Sequence, residues 1–158
     1  MLEFEIDPDI SLAETPPGSF YTDPELYARM REQVFARSWQ WIGVHGAVRE
    51  PNSAFPFELL DGLLNEPLLL TKADDGLIRL MSNVCTHRGN LLVRKSGACK
   101  AIRCAYHGRR FDLLGKLTAA PGFEGCEHFP TAKDDLPTVP MAEWGPFLFA
   151  NMNPQHAF

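Results

Sequence analysis

No stretch of this 158-residue chain approaches the roughly 20 consecutive apolar residues that a bilayer-spanning helix needs. A positive charge balance is missing too. The net charge of −5 argues against bulk binding to nucleic acid or to an anionic membrane. The first residues, Met1 to Pro8, are acidic and soon broken by proline. They have neither the basic head nor the apolar run of a signal peptide, so a cytoplasmic chain is expected. Cysteine is scarce, at four residues. In a cytosolic chain these read as metal ligands, catalytic groups or small core residues, not as a disulfide framework. Internal repeats and low-complexity tracts are absent. What remains is a globular mix, 45% hydrophobic with 12 Gly and 13 Pro, long enough to bury one sizeable core.

Residues 1–22 are acidic and non-periodic, with Pro16-Pro17-Gly18 as a breaker, and are expected to form an N-terminal arm. Residues 23–158 are expected to form one domain. Asp23-Pro24-Glu25 is a helix start: Asp caps free N–H groups, Pro fits the first turn, and Glu suits the positive end of the dipole. Leu26, Met30, Val34 and Phe35 then recur at helical spacing, which predicts one helix over 24–37. The rest reads as short strands near 39–44, 55–60, 68–71, 77–84, 101–104, 110–112, 116–118, 138–143 and 147–151. Asp74-Asp75-Gly76 and Leu113-Leu114-Gly115 mark hairpin turns. The expected class is mostly β, an antiparallel β-sandwich or small barrel with one N-terminal helix.

Two short segments carry the chemistry: Cys85-Thr86-His87-Arg88-Gly89 and Cys104-Ala105-Tyr106-His107-Gly108. Each offers one thiolate and one imidazole just after an expected strand, and each ends in a glycine that permits a sharp turn. Two sulfur and two imidazole ligands have two readings. One is a single tetrahedral Zn²⁺ in a structural zinc module. The other is a [2Fe–2S] centre in which two Cys hold one iron and two His the other. Zinc sites commonly group their cysteines in one knuckle. Here each segment supplies one ligand of each kind.

At these residues the sequence resembles the Rieske iron–sulfur family, whose signature is Cys-x-His followed, some fifteen to seventeen residues later, by Cys-x-x-His. The resemblance implies a Rieske-type sandwich with a small cluster-binding subdomain at about 84–122. It implies a [2Fe–2S] cofactor held by Cys85, His87, Cys104 and His107. Respiratory-chain members carry an extra Cys in each loop, joined as a disulfide; here those places hold Asn90 and Tyr106. Two hydroxyl donors to the sulfurs in that branch are replaced by Arg109 and Phe111. Fewer hydrogen bonds to sulfur imply a potential toward the low end of the Rieske range, roughly −150 mV.

Other stretches resemble the α subunit of Rieske non-haem iron (ring-hydroxylating) oxygenases: Arg88 after the first His, residues 35–43, Pro121-Gly122-Phe123, and residues 144–154. That resemblance implies hydroxylation or demethylation of a small organic substrate. It implies electrons arriving from a ferredoxin or flavin reductase and leaving to a mononuclear-iron catalytic domain, in a full-length homotrimer. Two departures stand out. Arg109-Arg110 replaces the family's usual Trp after the second His-Gly. No pattern resembles the iron-binding helix of the catalytic domain, so this chain alone is expected to pass electrons and not to activate oxygen. A stand-alone ferredoxin-like carrier is the alternative.

Residues 88–116 hold eight basic side chains against one acid, Asp112. This is read either as a solvated face or as a basic rim that steers an acidic redox partner. Arg88, Tyr106, Arg109 and Arg110 are the candidate cluster neighbours or docking residues. Cys99 and Cys126 lie off the ligand spacing and are expected to be small core or surface residues.

Overall fold

The computed structural model describes residues 6–158; the first five residues of the expected arm lie outside the described residues. A short 3₁₀ turn, Gly18–Tyr21, leads into the helix α1, Pro24–Gln33. Asp23 caps it as expected, its Oδ1 accepting from the amides of Glu25 (2.8 Å) and Leu26 (2.9 Å). The helix stops short of residue 37. Val34 departs to φ −110°, Ser38 Oγ donates to the Val34 carbonyl at 2.8 Å, and Phe35–Arg37 tightens into a 3₁₀ turn. The apolar spacing that predicted the helix gives only partial cover: no residue of α1 is buried, and Val34 is exposed.

In chain order the strands are β1 (Gln40–Val44), β2 (Ser53–Leu59), β3 (Glu66–Lys72), β4 (Ile78–Ser82), β5 (Gly97–Ala98), β6 (Ile102–Arg103), β7 (Arg110–Phe111), β8 (Leu117–Ala119), β9 (Met141–Trp144) and β10 (Phe147–Ala150). All named pairings are antiparallel and form three sheets, β1-β10-β9, β4-β3-β2-β5 and β6-β7-β8. The class is mostly β with a single α-helix among the described residues. Strand β5, only two residues long, escaped the sequence reading because so short a segment has no period. It pairs with β2 only at Ser53 and Ala54. Pro56 therefore sits where β2 is an edge, and its missing N–H breaks no ladder bond on that side.

Strand β3 carries the run Leu68-Leu69-Leu70-Thr71, all buried. A continuous apolar run marks a strand covered on both faces. Leu68 and Leu70 join one core with Val48, Leu59, Leu80, Leu148 and Ala150. Leu69 points the other way, into a second core with Met81, Cys85, Ile102, Cys104, Phe111 and Leu117. The hydroxyl of Thr71, on the same face as Leu69, donates to the Leu113 carbonyl at 2.7 Å and ties β3 to the β7–β8 turn. Both candidate cysteines thus belong to a packed core.

The β3–β4 turn is held by Asp75, which accepts from the Leu77 amide (3.0 Å) and from Arg79. The Arg79 hydrogen bond, then the Leu77 amide, hold the Asp75 carboxyl down at about 2, against an ordinary 3.8. A folded value below the unfolded one means that this carboxylate stabilises the fold above pH ~4 and loses that contribution as pH falls through about 2. Following the Asp75 carboxyl carbon by NMR during an acid titration is expected to give a midpoint near 2. A midpoint at 3.8 would show the pairing to be absent in solution.

Candidate metal centre

Two loops of matching geometry present the candidate ligands. In the first, the Cys85 amide donates to the Asn90 carbonyl (2.9 Å) and the Gly89 amide returns to the Cys85 carbonyl (3.0 Å). In the second, the Cys104 amide donates to the Arg109 carbonyl (2.8 Å) and the Gly108 amide to the Cys104 carbonyl (3.1 Å). Gly89 and Gly108 hold the turns at φ 68° and 76°, where a β-carbon is strained. The first loop is rooted by Asn83, which is buried. Its side-chain amide donates to the Val93 carbonyl (2.7 Å) and its side-chain oxygen accepts from the Val93 amide (2.9 Å).

The loops bring the four side chains together as two pairs. Cys85 and Cys104 are each 2% exposed and lie in the same buried core. Desolvation pushes the Cys85 thiol up. Cys104 is desolvated too, but the His107 and Tyr106 amides, Cys85 and the Asn90 side chain outweigh that and lower it. The pocket thus favours negative charge on the Cys104 sulfur, the form in which cysteine binds metal, while burial opposes it at Cys85. His87 and His107 stack edge to face, ring centroids 4.8 Å apart, with His87 part-exposed and His107 exposed. Buried paired thiols beside accessible paired imidazoles form a donor set suited to two irons.

The last residue of each loop reaches across to the other. Asn90 Nδ2 lies 3.6 Å from Cys104 Sγ, and Arg109 Nη1 lies 3.3 Å from Thr86 Oγ1. Arg109 is 5% exposed, pairs with Asp134 at 3.4 Å, and packs on the stacked rings of Phe123 and Phe129, its Cζ 5.3 Å and 5.4 Å from their centroids. Arg109 is therefore a neighbour of the centre and is too buried to dock a partner. Arg88, Arg110 and Tyr106 are exposed, and the Tyr106 ring lies 3.7 Å from that of His107. Sequence reasoning missed Asn83, Thr86, Phe129 and Asp134. The available signal was positional: Asn90 and Arg109 each lie five residues after a loop cysteine. Cys99 is half-buried and Cys126 exposed; neither joins the centre, and all four cysteines are free.

A family profile described as the Rieske [2Fe-2S] domain matches residues 38–137. Choline monooxygenase of Arabidopsis thaliana is 33% identical over 91% of this chain and 34% of its own length. The carnitine monooxygenase oxygenase subunit of Escherichia coli K12 is 34% identical over 90% of this chain and 37% of its own length. Among solved structures, a quaternary ammonium Rieske monooxygenase, whose structure bears on inter-subunit electron transfer, superimposes with TM-score 0.82. It is 28% identical, over 92% of this chain and 39% of that one. Naphthalene 1,2-dioxygenase shares the fold at TM-score 0.75 and 24% identity, over 87% of this chain and 31% of that one. The chain spans about a third of the length of the curated relatives it matches. The zinc module that ligand types alone left open is set aside by the family match. With matching loops, a buried thiol pair and a family profile spanning both, this chain belongs to the Rieske [2Fe–2S] domain family.

Proposed function

We propose that the chain transfers single electrons through a [2Fe–2S] cluster held by Cys85 and Cys104 as thiolates and by His87 and His107 through one ring nitrogen each. The observation that carries this reading is the pairing of two buried thiols with two accessible imidazoles on loops of the same shape. A bound Rieske cluster supplies a one-electron couple. The protein's part is to keep water from the sulfurs behind Leu92, Ile102 and Phe111, and to leave the imidazoles as the short way in and out. Iron and acid-labile sulfide are expected at two each per chain, with the low-average-g EPR signal of mixed Cys/His ligation after dithionite reduction. Zinc without iron, or an all-cysteine signal, would end the assignment.

In a longer protein this electron would serve a mononuclear-iron domain that oxidises a small organic molecule. The names of the relatives make quaternary ammonium compounds the first substrates to try. Electrons would enter from a ferredoxin or a flavin reductase, and a homotrimer would suit transfer between subunits. Four free cysteines fit a reducing compartment such as the cytoplasm. No helix among the described residues is long and apolar enough to cross a membrane.

Apart from Arg109, the basic residues of 88–116 are exposed: Arg88, Arg94, Lys95, Lys100, Arg103, Arg110 and Lys116. This supports an acidic partner steered to the imidazoles. The second-order rate of reduction by an acidic ferredoxin is expected to fall at least severalfold between ~10 mM and ~0.5 M salt, as the Debye length shrinks from about 30 Å to a few ångströms. A rate flat across that range would remove the steering role.

A further inference from the structure

We propose that Arg109 is the fixed positive charge that sets the redox level of this centre, holding the reduced state more favourable than it would be with a neutral side chain in the same slot. The inference rests on the electron-transfer reading above. Arg109 lies at the end of the second ligand loop, its carbonyl accepting the Cys104 amide and its guanidinium reaching Thr86, the residue between the first-loop ligands. It also packs on Phe123, whose ring sits 6.0 Å from that of His87. The side chain therefore touches the frame of both loops.

Its charge is only partly neutralised. Among the described residues Asp134 is the one acid paired with the guanidinium, 3.4 Å away, and that carboxylate also accepts from the Thr131 amide (3.0 Å) and hydroxyl (3.1 Å). The Asp134 side chain is 21% exposed against 6% for Arg109, so water screens the acid more than the base. Arg109 Nε is buried with no hydrogen-bond partner. A buried cation with incomplete pairing projects its field inward, where the dielectric is low. Adding an electron adds negative charge at the centre, and a nearby cation favours that step. A Trp, usual at this position in the family the sequence resembles, fills space without charge.

The test is the midpoint potential of the cluster-loaded chain, with iron and sulfide counted in every variant. R109W and R109Q are expected to shift the electron-exchange equilibrium with a fixed mediator about tenfold toward the oxidised protein, which is a fall of ~59 mV. R109K, which keeps the charge, is expected to restore most of that shift. D134N, which removes the opposing charge, is expected to raise the potential. Loaded R109W and R109Q proteins at the wild-type potential would overturn the inference while leaving the electron-transfer reading intact. If those variants fail to retain iron, D134N decides: an unchanged potential there overturns it. A wild-type chain that binds no iron or sulfide would instead defeat the reading on which the inference rests.

Discussion

Cys104→Ala is expected to purify colourless, with iron and acid-labile sulfide at background, from cells in which the wild-type chain comes out red-brown. The substitution removes one thiolate from a buried pair, and nothing nearby can replace it. Cys99 packs on the edge of the same core but its thiol donates to the Ala101 carbonyl, and Cys126 lies exposed in another loop. Losing one sulfur atom from the core costs about 1 kcal/mol of packing, small beside a typical domain stability of about 5–15 kcal/mol. The variant should therefore keep its far-UV spectrum and melt near the wild-type chain stripped of iron, not as an unfolded polypeptide. What it loses is the folding energy that bound metal contributes. Cys99→Ser and Cys126→Ser are the controls and should keep full iron. A Cys104→Ala protein with wild-type iron and sulfide would refute the proposed ligand set.

The largest stability effect is expected at Phe111. Its ring is fully buried in the core that also holds Cys85, Cys104, Ile102 and Leu117. Phe111→Ala should cost about 3–5 kcal/mol, because the lost transfer energy adds to a cavity that β6-β7-β8, with strands of two or three residues, is poorly built to refill. Urea denaturation of the iron-free chain reads this directly. Phe111→Leu should recover much of the loss. A loss below about 1 kcal/mol in Phe111→Ala would mean the loops are held by their own hydrogen bonds and not by the core beneath them. Leu148→Ala, in the core on the other side of β3, should destabilise by about 2–5 kcal/mol and leave the environment of the thiols unchanged.

The contrast between the two segments 85–89 and 104–108 and the rest of the chain explains what could be read in advance. Ligand types and their spacing are local, so they survive in the linear sequence. The same holds for the Asp23 cap and the turn at Asp75, where a side chain bonds a backbone two or three residues away. The strands near 40–44, 53–59 and 66–72 were legible from β-branched and leucine-rich runs. Strand β9 begins at Met141, three residues later than expected, because Thr138 forms only an isolated bridge with Met81. Asp134 could not be found, since its meaning comes from Arg109, 25 residues earlier. Asn83 was equally silent, because an asparagine that imitates a strand partner at Val93 looks in sequence like any turn residue. The role of Arg109 was hidden for the opposite reason. In sequence it stood with Arg88 and Arg110 as a cluster neighbour or a docking residue alike, and only its burial separates it from them.

Strand β3 has a consequence for how the molecule opens. Its two faces belong to different cores, so neither can come apart while its central residues stay covered. The amide protons of Leu68, Leu69 and Leu70 can then reach solvent only when the whole domain unfolds, whereas those of the exposed 6–17 segment, held only by local turns, exchange far sooner. Their exchange rate is a gauge of global stability. Iron loaded at one edge of the protein should slow it as much as a tighter contact at Leu148 on the far side.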